Sequence, residues 1–208
     1  RNFVIKSLFC FKWVLLVCVL SFSVRAHAED ISAQQGVEAF LNTIRSMEFP
    51  VKDAAQHEKK IKQAAAYLDL QAMGEKALGT NWAVMTANQQ KQFMELLWKL
   101  IESIAYPRTK SFLGDQKITY TDVKPIERGV EVLSSVHDQE AALDVPVVYH
   151  LYQEDVVWKI YDIFMDGVSM TEDLQYQFDK MIQNGSVQTL LDRMSERLEE
   201  AKKETTGA

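Results

Sequence analysis

Four segments in the C-terminal half of the chain alternate between apolar and polar residues and are separated only by short polar turns. A period of two predicts β-strands, and parallel neighbours would need a crossover of about a dozen residues or more. Turns as short as Asp138-Gln139-Glu140 and Glu154-Asp155 leave no room for such crossovers, so the sequence predicts an antiparallel meander. The four predicted strands are Lys117–Lys124, Gly129–His137, Ala141–Gln153 and Val156–Met165.

Helical patterns precede these strands. Ser32 is predicted to cap a first helix that ends before Pro50, and a mixed-charge, alanine-rich pattern over residues 53–67 predicts a second. Asp69 is predicted to cap a short helix that runs through Leu78 and closes at Gly79. The N-terminal half of the chain is therefore expected to be helical.

The longest predicted helix begins at a capping box formed by Thr86 and Gln89. Tyr106-Pro107 interrupts it, because proline has no backbone N–H to donate, with a kinked continuation to Phe112 as the alternative. Its apolar positions recur at helical spacing and form one broad face, consisting of Phe93, Leu96, Leu97, Leu100, Ile101 and Ile104.

After the strands, Thr171 is predicted to cap a helix that ends at Gly185, and Ser186 to begin a last amphipathic helix. Helices on either side of a four-stranded antiparallel sheet give an α+β fold. The third and fourth strands are apolar on both faces, so the sheet is either covered twice, or covered once and faced by a ligand cavity. Alternation groups Val147, Tyr149 and Leu151 on one face of the third strand, and Trp158, Ile160 and Phe164 on one face of the fourth.

The N-terminal residues 1–28 have the three parts of a secretory signal: basic residues, an apolar run from Trp13 to Val24, and the small-residue cleavage site Ala26-His27-Ala28. Export from the cytoplasm and a single mature domain over residues 29–208 are expected. Cys10 and Cys18 lie within the signal, so the mature domain would contain no thiol. Cleavage removes four of the 23 basic residues and none of the 29 acidic ones, leaving a net charge near −10 that argues against nucleic acid as a partner.

Asp162 is the one acidic residue within the apolar fourth strand, and a buried carboxylate has to be paired, hydrogen-bonded or protonated. It is either a general base in a pocket near His150 or Tyr149, or a structural acceptor for backbone amides, a tryptophan indole or an arginine such as Arg108. No nucleophile motif, phosphate-binding glycine loop or zinc-ligand spacing occurs in the sequence. We therefore predict no enzyme activity, no metal and no cofactor.

Several short motifs, in this order behind a signal sequence, resemble the MlaC, or toluene-tolerance, family of periplasmic phospholipid-binding proteins. Individually these motifs are weak, and the likeness rests on their order and spacing. They are Leu78-Gly79-Thr80-Asn81-Trp82, Gln90-x-x-Phe93 in a helix ending near Tyr106, Val147-x-Tyr149-x-Leu151, Trp158-x-x-Tyr161-Asp162 followed by Gly167-Val168-Ser169, and Gln177-Phe178 with Gly185.

The resemblance implies an MlaC-like or NTF2-like fold with an internal hydrophobic cavity. It also implies a shuttle that carries phospholipid between an outer-membrane lipoprotein complex and an inner-membrane ABC transporter, and so maintains lipid asymmetry of the outer membrane. The acyl chains are expected between the sheet and the long helix. The expected walls are Phe93, Leu97, Ile101, Ile104, Val147, Tyr149, Leu151, Trp158, Ile160 and Phe164.

Two alternatives of other classes remain at this point. One is a small-molecule isomerase or dehydratase on a cone-shaped α+β fold, which would depend on Asp162. The other is a non-catalytic, chaperone-like periplasmic protein, whose binding would follow exposed apolar patches rather than a defined cavity.

Overall fold

The computed structural model describes residues 32–114, 116–138 and 142–206. The predicted signal peptide lies outside these residues. Among the described residues, no helix is both long and apolar enough to span a bilayer. The helices are α1 (Ala33–Ser46), α2 (Ala54–Ala65), α3 (Leu70–Leu78), α4 (Thr80–Val84), α5 (Ala87–Leu100), α6 (Tyr106–Leu113), α7 (Met170–Gln183) and α8 (Val187–Thr206); the strands are β1 (Ile118–Ile126), β2 (Gly129–Asp138), β3 (Leu143–Glu154), β4 (Val157–Met165) and β5 (Val168–Ser169).

Side-chain caps fix most of the helix starts. The Ser32 and Thr86 side chains each form a capping box with the glutamine three residues later, and the Asp69 carboxylate accepts from the amide of Ala72. The predicted cap at Thr171 is wrong, because the Ser169 hydroxyl accepts the amide of Glu172 and α7 begins one residue after Ser169. The short helix α4 has no counterpart in the sequence prediction.

The long helix continues past its proline through a π-helical turn, Ile101–Ala105, in which the amide of Tyr106 donates to the carbonyl of Ile101. Pro107 lies in the first turn of α6 and has no N–H to donate to the preceding turn, so the helix passes through this position with one backbone hydrogen bond fewer. The chain therefore adopts the continuation that was the alternative from the sequence, and the helix reaches Leu113.

The strands form one antiparallel sheet in the order β1-β2-β3-β4-β5. The sheet has five strands rather than the predicted four, because the two residues of β5 fold back on β4 and pair Ser169 with Phe164. The outer edge of β4 also forms a short parallel bridge between Ile160 and Leu68, in the α2–α3 connection. The meander predicted from the short turns is confirmed.

A bulge at Tyr161 changes which residues of β4 share a face. His150 pairs with Asp162, while the next residue of β3, Leu151, pairs with Ile160, so Tyr161 is the extra residue. Beyond it Ile163 packs on the same core as Ile160. The predicted grouping of Phe164 with Trp158 and Ile160 is therefore wrong, and Phe164 lies on the opposite face, against the His150 ring.

The buried apolar side chains form two clusters. The first cluster lies between α1, α2, α6 and one face of the sheet, and the second lies among α3, α5, α7 and α8. The helix that covers this face of the sheet is α1, not the long helix α5, which packs on α8 and α3. Ile101, in the π-helical turn, packs against both clusters.

Candidate functional site

A groove of about 290 Å³ opens at the margin of the first cluster, between the first two helices and the β3–β4 turn. At about 30 Å³ for a group the size of a water molecule, it has room for about ten methylene-sized groups. That is enough for part of one acyl chain. The groove is lined by Gly36, Thr43, Gln63, Ala66, Tyr67, Val156, Val157 and Trp158.

Backbone pairing along the edge of β4 builds one wall of the groove. The amide of Ile160 donates to the carbonyl of Tyr67 at 2.7 Å, and the amide of Asp69 donates to the carbonyl of Ile160 at 2.8 Å. The Lys159 ammonium adds a bond to the carbonyl of Ala66 at 2.7 Å. These bonds hold the end of α2 against β4, so Tyr67 and Trp158 have fixed places beside the groove.

The opposite wall depends on a glycine. A Cβ at Gly36 would lie 3.1 Å from Cβ of Trp158, closer than most such contacts, so α1 approaches β4 where it has no side chain. Gly36 itself is buried. Any larger residue at this position would occupy space in the groove or displace Trp158.

No residue that lines the groove carries a charge. Apart from the aromatic residues, the groove has two polar side chains, Thr43 and Gln63. The Thr43 hydroxyl donates to the carbonyl of Ala39 at 2.7 Å. Val156 is exposed at the lip. An uncharged, mainly apolar lining of this kind suits a neutral apolar ligand and gives no ion pair to a charged one.

The predicted lipid-contacting residues do not lie together but are spread over five parts of the structure. Trp158 lines the groove, and Val147, Tyr149, Leu151 and Ile160 are in the first cluster behind it. Phe93 and Leu97 are in the second cluster, where Phe93 meets Phe178 edge-on. Ile101 and Ile104 lie in the π-helical turn, and Phe164 lies on the other face of the sheet.

Asp162 is fully buried and is held by donors from four elements, α3, β4, β5 and α7. Its Oδ2 accepts from the Lys76 ammonium at 2.8 Å and from the Ser169 hydroxyl at 2.7 Å. Its Oδ1 accepts from the amide of Ile163 at 2.9 Å and from the amide of Thr171 at 3.3 Å. The carboxylate thus ties α3 and the start of α7 to β4.

Burial acts to raise the pKa of Asp162, but hydrogen bonds from Lys76, Ser169 and Thr171 outweigh it and lower the pKa below its usual value. A general base works best with a pKa near the working pH. A carboxylate with a lowered pKa and donors on both oxygens instead has the properties of a structural acceptor. Of the partners considered from the sequence, backbone amides are present, whereas the cation is Lys76 rather than Arg108.

The histidines on the sheet have local partners. His150 packs on the rings of Phe164 and Tyr161, and burial lowers its pKa. The His137 ring lies 2.8 Å from the Asp144 carboxylate. Over residues 32–114, 116–138 and 142–206, no three His, Cys, Asp or Glu side chains are grouped closely enough to hold a metal ion.

A family model described as MlaC protein matches residues 34–196. This chain belongs to the MlaC family. Among curated proteins it is similar to the intermembrane phospholipid transport system binding protein MlaC of Haemophilus influenzae, with 22% identity over 169 residues and 78% of each chain covered. Among solved structures it is similar to a phospholipid-binding protein of Ralstonia solanacearum in complex with a phospholipid, with a TM-score of 0.65, 21% identity, and coverage of 81% of this chain and 96% of that one.

Several motifs that suggested the MlaC family have structural explanations here. Gly79 ends α3 with φ +51°, a conformation that favours glycine, and Gly167 occupies the β4–β5 turn with φ +79°. Asp162 and Ser169 are joined by the hydrogen bond described above. The motifs therefore mark turns and a buried ionic cluster that maintain the fold of this MlaC-family chain.

Of the eight residues that line the groove, sequence reasoning predicted only Trp158, and it did not predict the cation that pairs with Asp162. Gly36 and Tyr67 border the groove, and Lys76 is the cation on Asp162. The one available signal was Gly36 itself, since a glycine within a helix lowers helix stability by about 1 kcal/mol relative to alanine and needs a packing reason. The partner of Lys76 is 86 residues away along the chain, so no local pattern reveals it.

Proposed function

We propose that this MlaC-family chain is a phospholipid carrier that holds acyl chains at the groove and in the first cluster behind it, and releases them to membrane complexes. The observation that carries the proposal is the family match across residues 34–196. The names of its relatives in Haemophilus influenzae and Ralstonia solanacearum, which specify phospholipid transport or binding, support the choice of ligand.

A carrier is needed because acyl chains are costly to expose. Each methylene in water costs about 0.8 kcal/mol, so two chains with about thirty methylenes in total would cost about 24 kcal/mol to hydrate fully. A protein wall that replaces water around the chains removes most of this barrier. The uncharged lining of the groove supplies such a wall.

The groove at 290 Å³ accommodates only part of a phospholipid. The remaining space would come from displacing side chains of the first cluster, which continues inward from Trp158 through Leu151, Ile160, Tyr149 and Val147. We therefore place the acyl chains between α1 and the sheet, with the head group outside the lip at Val156. Phe93 and Leu97 would then support the second cluster instead of touching lipid.

We further propose that the chain acts in the periplasm as a single domain over residues 29–208, after removal of residues 1–28. It would receive and deliver lipid at an outer-membrane lipoprotein complex and an inner-membrane ABC transporter. This assignment is supported by the sequence pattern of residues 1–28 and by the intermembrane transport named for the Haemophilus influenzae relative. Phospholipid is the cargo in this scheme, and no cofactor is required.

Extraction of the purified protein followed by lipid mass spectrometry tests the proposal. We expect co-purified phospholipid at a fixed ratio to protein, and a lower ratio when Gly36 is replaced by valine to narrow the groove. Asn42, an exposed residue of the same helix, provides the matched control Asn42→Val. Protein that repeatedly contains no phospholipid, and takes none up from vesicles, would contradict the proposal.

The same preparation separates the two alternatives. A chaperone-like protein would bind apolar material without fixed stoichiometry, and Gly36→Val would leave that binding unchanged. An isomerase or dehydratase would lose turnover in Asp162→Asn without losing lipid. The buried, fully hydrogen-bonded state of Asp162 favours neither turnover at this residue nor access of a substrate to it.

A further inference from the structure

Cationic side chains from three helices meet at the C-terminal end of α1. The Lys60 ammonium, on α2, donates to the carbonyl of Ser46, and the Lys110 ammonium, on α6, donates to the carbonyl of Met47. Arg45, in the last turn of α1, donates from its guanidinium to a backbone carbonyl of the α6–β1 connection. All three side chains are partly exposed. We call Arg45, Lys60 and Lys110 the basic cluster.

The charge of the basic cluster exceeds what the helix end neutralises. The C-terminus of a helix carries about half a negative charge, against three positive ones here. The carboxylates nearest along the chain have other partners, since Glu48 pairs with Lys52 at 3.8 Å, Glu58 pairs with Lys62 at 2.6 Å, and Asp53 caps α2. Over the described residues no ion pair involves the basic cluster. The cluster is therefore a positive region on a chain with a formal net charge of −6.

An exposed segment with apolar residues lies beside the basic cluster. Residues 50–56 connect α1 to α2 and begin that helix, and every one of them is exposed. Val51 is 43% exposed, and a proline and two alanines of the same segment add apolar surface. Val51 and Lys60 line one small depression, and the Phe49 ring packs edge-on against the His57 ring at 5.5 Å. The apolar residues and the cations therefore share one surface.

The depression in this surface is too small to enclose a ligand. Its volume of about 10 Å³ is the space of a single water molecule. A bilayer needs no pocket, because its anionic head groups attract basic side chains and exposed apolar side chains enter the boundary between head groups and acyl chains. Cations around an exposed valine match both layers of such a surface.

We propose that the basic cluster and residues 49–52 form a docking surface for a bilayer that contains anionic phospholipid. Arg45, Lys60 and Lys110 contact lipid phosphates there, and Val51 enters the interface. The negative net charge of the chain opposes contact through its other faces. Docking therefore holds the protein in one orientation on the membrane.

The docking surface adjoins the groove. Thr43 precedes Ser46 by three residues on α1, and Gln63 follows Lys60 by three residues on α2, so the groove begins one helical turn, about 5.4 Å, from the Lys60–Ser46 bond. Docking would thus place the groove close to the bilayer. The inference does not require lipid to enter the groove, so it can be tested apart from the proposed carrier function.

Co-sedimentation with vesicles tests the inference. The purified protein is mixed with vesicles of phosphatidylcholine alone, or of phosphatidylcholine and phosphatidylglycerol in equal parts, and the bound fraction is measured against lipid concentration. We expect binding to the anionic vesicles only, and weaker binding as the salt concentration rises, because salt screens exposed charges. Equal binding to both kinds of vesicle, or no binding to the anionic ones, would overturn the inference.

Single charge changes locate the contact. Lys60→Gln and Lys110→Gln keep a flexible polar side chain but remove the charge, so each should weaken binding to anionic vesicles about fivefold. Lys91→Gln is the matched control, because it removes the same charge from α5, where the side chain is 75% exposed, and it should leave binding unchanged. An equal loss in Lys91→Gln would show that binding follows net charge, and the docking surface would be refuted.

Two apolar positions give a second readout. Val51→Asp should weaken binding at least as much as Lys60→Gln does, whereas Val84→Asp on α4 should not, although Val84 is 76% exposed. Circular dichroism checks that each variant is folded, as expected at exposed positions. Val51→Asp that binds like the wild type would contradict the apolar contact.

Gly36→Val separates docking from lipid carriage. Because Gly36 lines the groove and not the docking surface, this variant should bind anionic vesicles as the wild type does. Loss of vesicle binding in Gly36→Val would mean that the groove makes the contact, and it would overturn the inference. A wild type that docks but never holds phospholipid would contradict the carrier function alone.

Discussion

Replacing Asp162 with asparagine should strongly destabilise the protein. The substitution keeps the size of the side chain but puts an NH₂ group where one carboxylate oxygen stood. If the NH₂ group replaces Oδ2, the donors Lys76 and Ser169 lose their acceptor. If it replaces Oδ1, the amides of Ile163 and Thr171 lose theirs. The lost bonds are to a charged, fully buried acceptor.

The expected loss is about 3–4 kcal/mol. Hydrogen bonds to charged groups contribute about 1.5–3 kcal/mol each, and breaking one side of a buried ion pair costs about 3–5 kcal/mol. We take the lower part of this range because the Lys76 side chain is 37% exposed and keeps Glu172 as a second partner at 3.2 Å. Such a loss is a large share of the 5–15 kcal/mol by which domains of ordinary size are stable.

Urea unfolding followed by circular dichroism measures this loss, and its pH dependence gives a further check. The folded-state pKa of Asp162 is lowered, so its contribution to stability is complete above its unfolded pKa of about 3.9 and is lost as the pH falls through the folded pKa. The difference in free energy of unfolding between the wild type and Asp162→Asn should therefore be constant from neutral pH to about pH 5 and become smaller below about pH 4.

Glu172→Gln is the control, because it removes the other carboxylate beside Lys76. The Glu172 side chain is 64% exposed, and an exposed pair contributes less than about 1 kcal/mol. The structural role of the Asp162 carboxylate would be refuted if Asp162→Asn lowered the free energy of unfolding no more than Glu172→Gln does. It would also be refuted if the difference between Asp162→Asn and the wild type stayed unchanged at low pH.

Three further substitutions test other parts of the structure. Gly36→Val should reduce bound phospholipid per protein, measured by mass spectrometry, because its side chain enters the groove beside Trp158, whereas Asn42→Val should not. Gly129→Ala should lower the urea midpoint sharply, because the added Cβ would lie 2.0 Å from the backbone carbonyl oxygen of Leu151 and because Gly129 has φ +94°. An unchanged midpoint would contradict the described turn. Thr86→Ala should cost about 1 kcal/mol in the same assay by removing the cap of α5, and a loss near zero would argue against that cap.

Local patterns predicted the elements of this fold. The capping residues Ser32, Asp69 and Thr86 act within three residues of themselves, so the helix starts could be deduced from sequence. The period of two and the short turns likewise gave the antiparallel order of β1 to β4. Each of these features depends on neighbours along the chain.

The features that escaped prediction depend on distant contacts or on a break in a local rule. One extra residue, Tyr161, reverses the alternation of β4 and moved Phe164 to the other face. The groove exists because Gly36 meets Trp158 across the fold, and no period in the sequence signals that approach. Phe93 and Leu97 of the long helix pack in the second cluster and not against the sheet. Helical spacing alone shows that they share an apolar face, but not which cluster that face joins.

The π-helical turn has a consequence for how the protein unfolds. A single helical segment, continuous from Ala87 to Leu113, passes from the second cluster into the first. Opening of either cluster removes the packing that supports one half of a helix whose other half packs in the other cluster. Amide hydrogen exchange in α5 and α6 should therefore report one cooperative opening, so that two hydrophobic cores melt as a single thermodynamic unit.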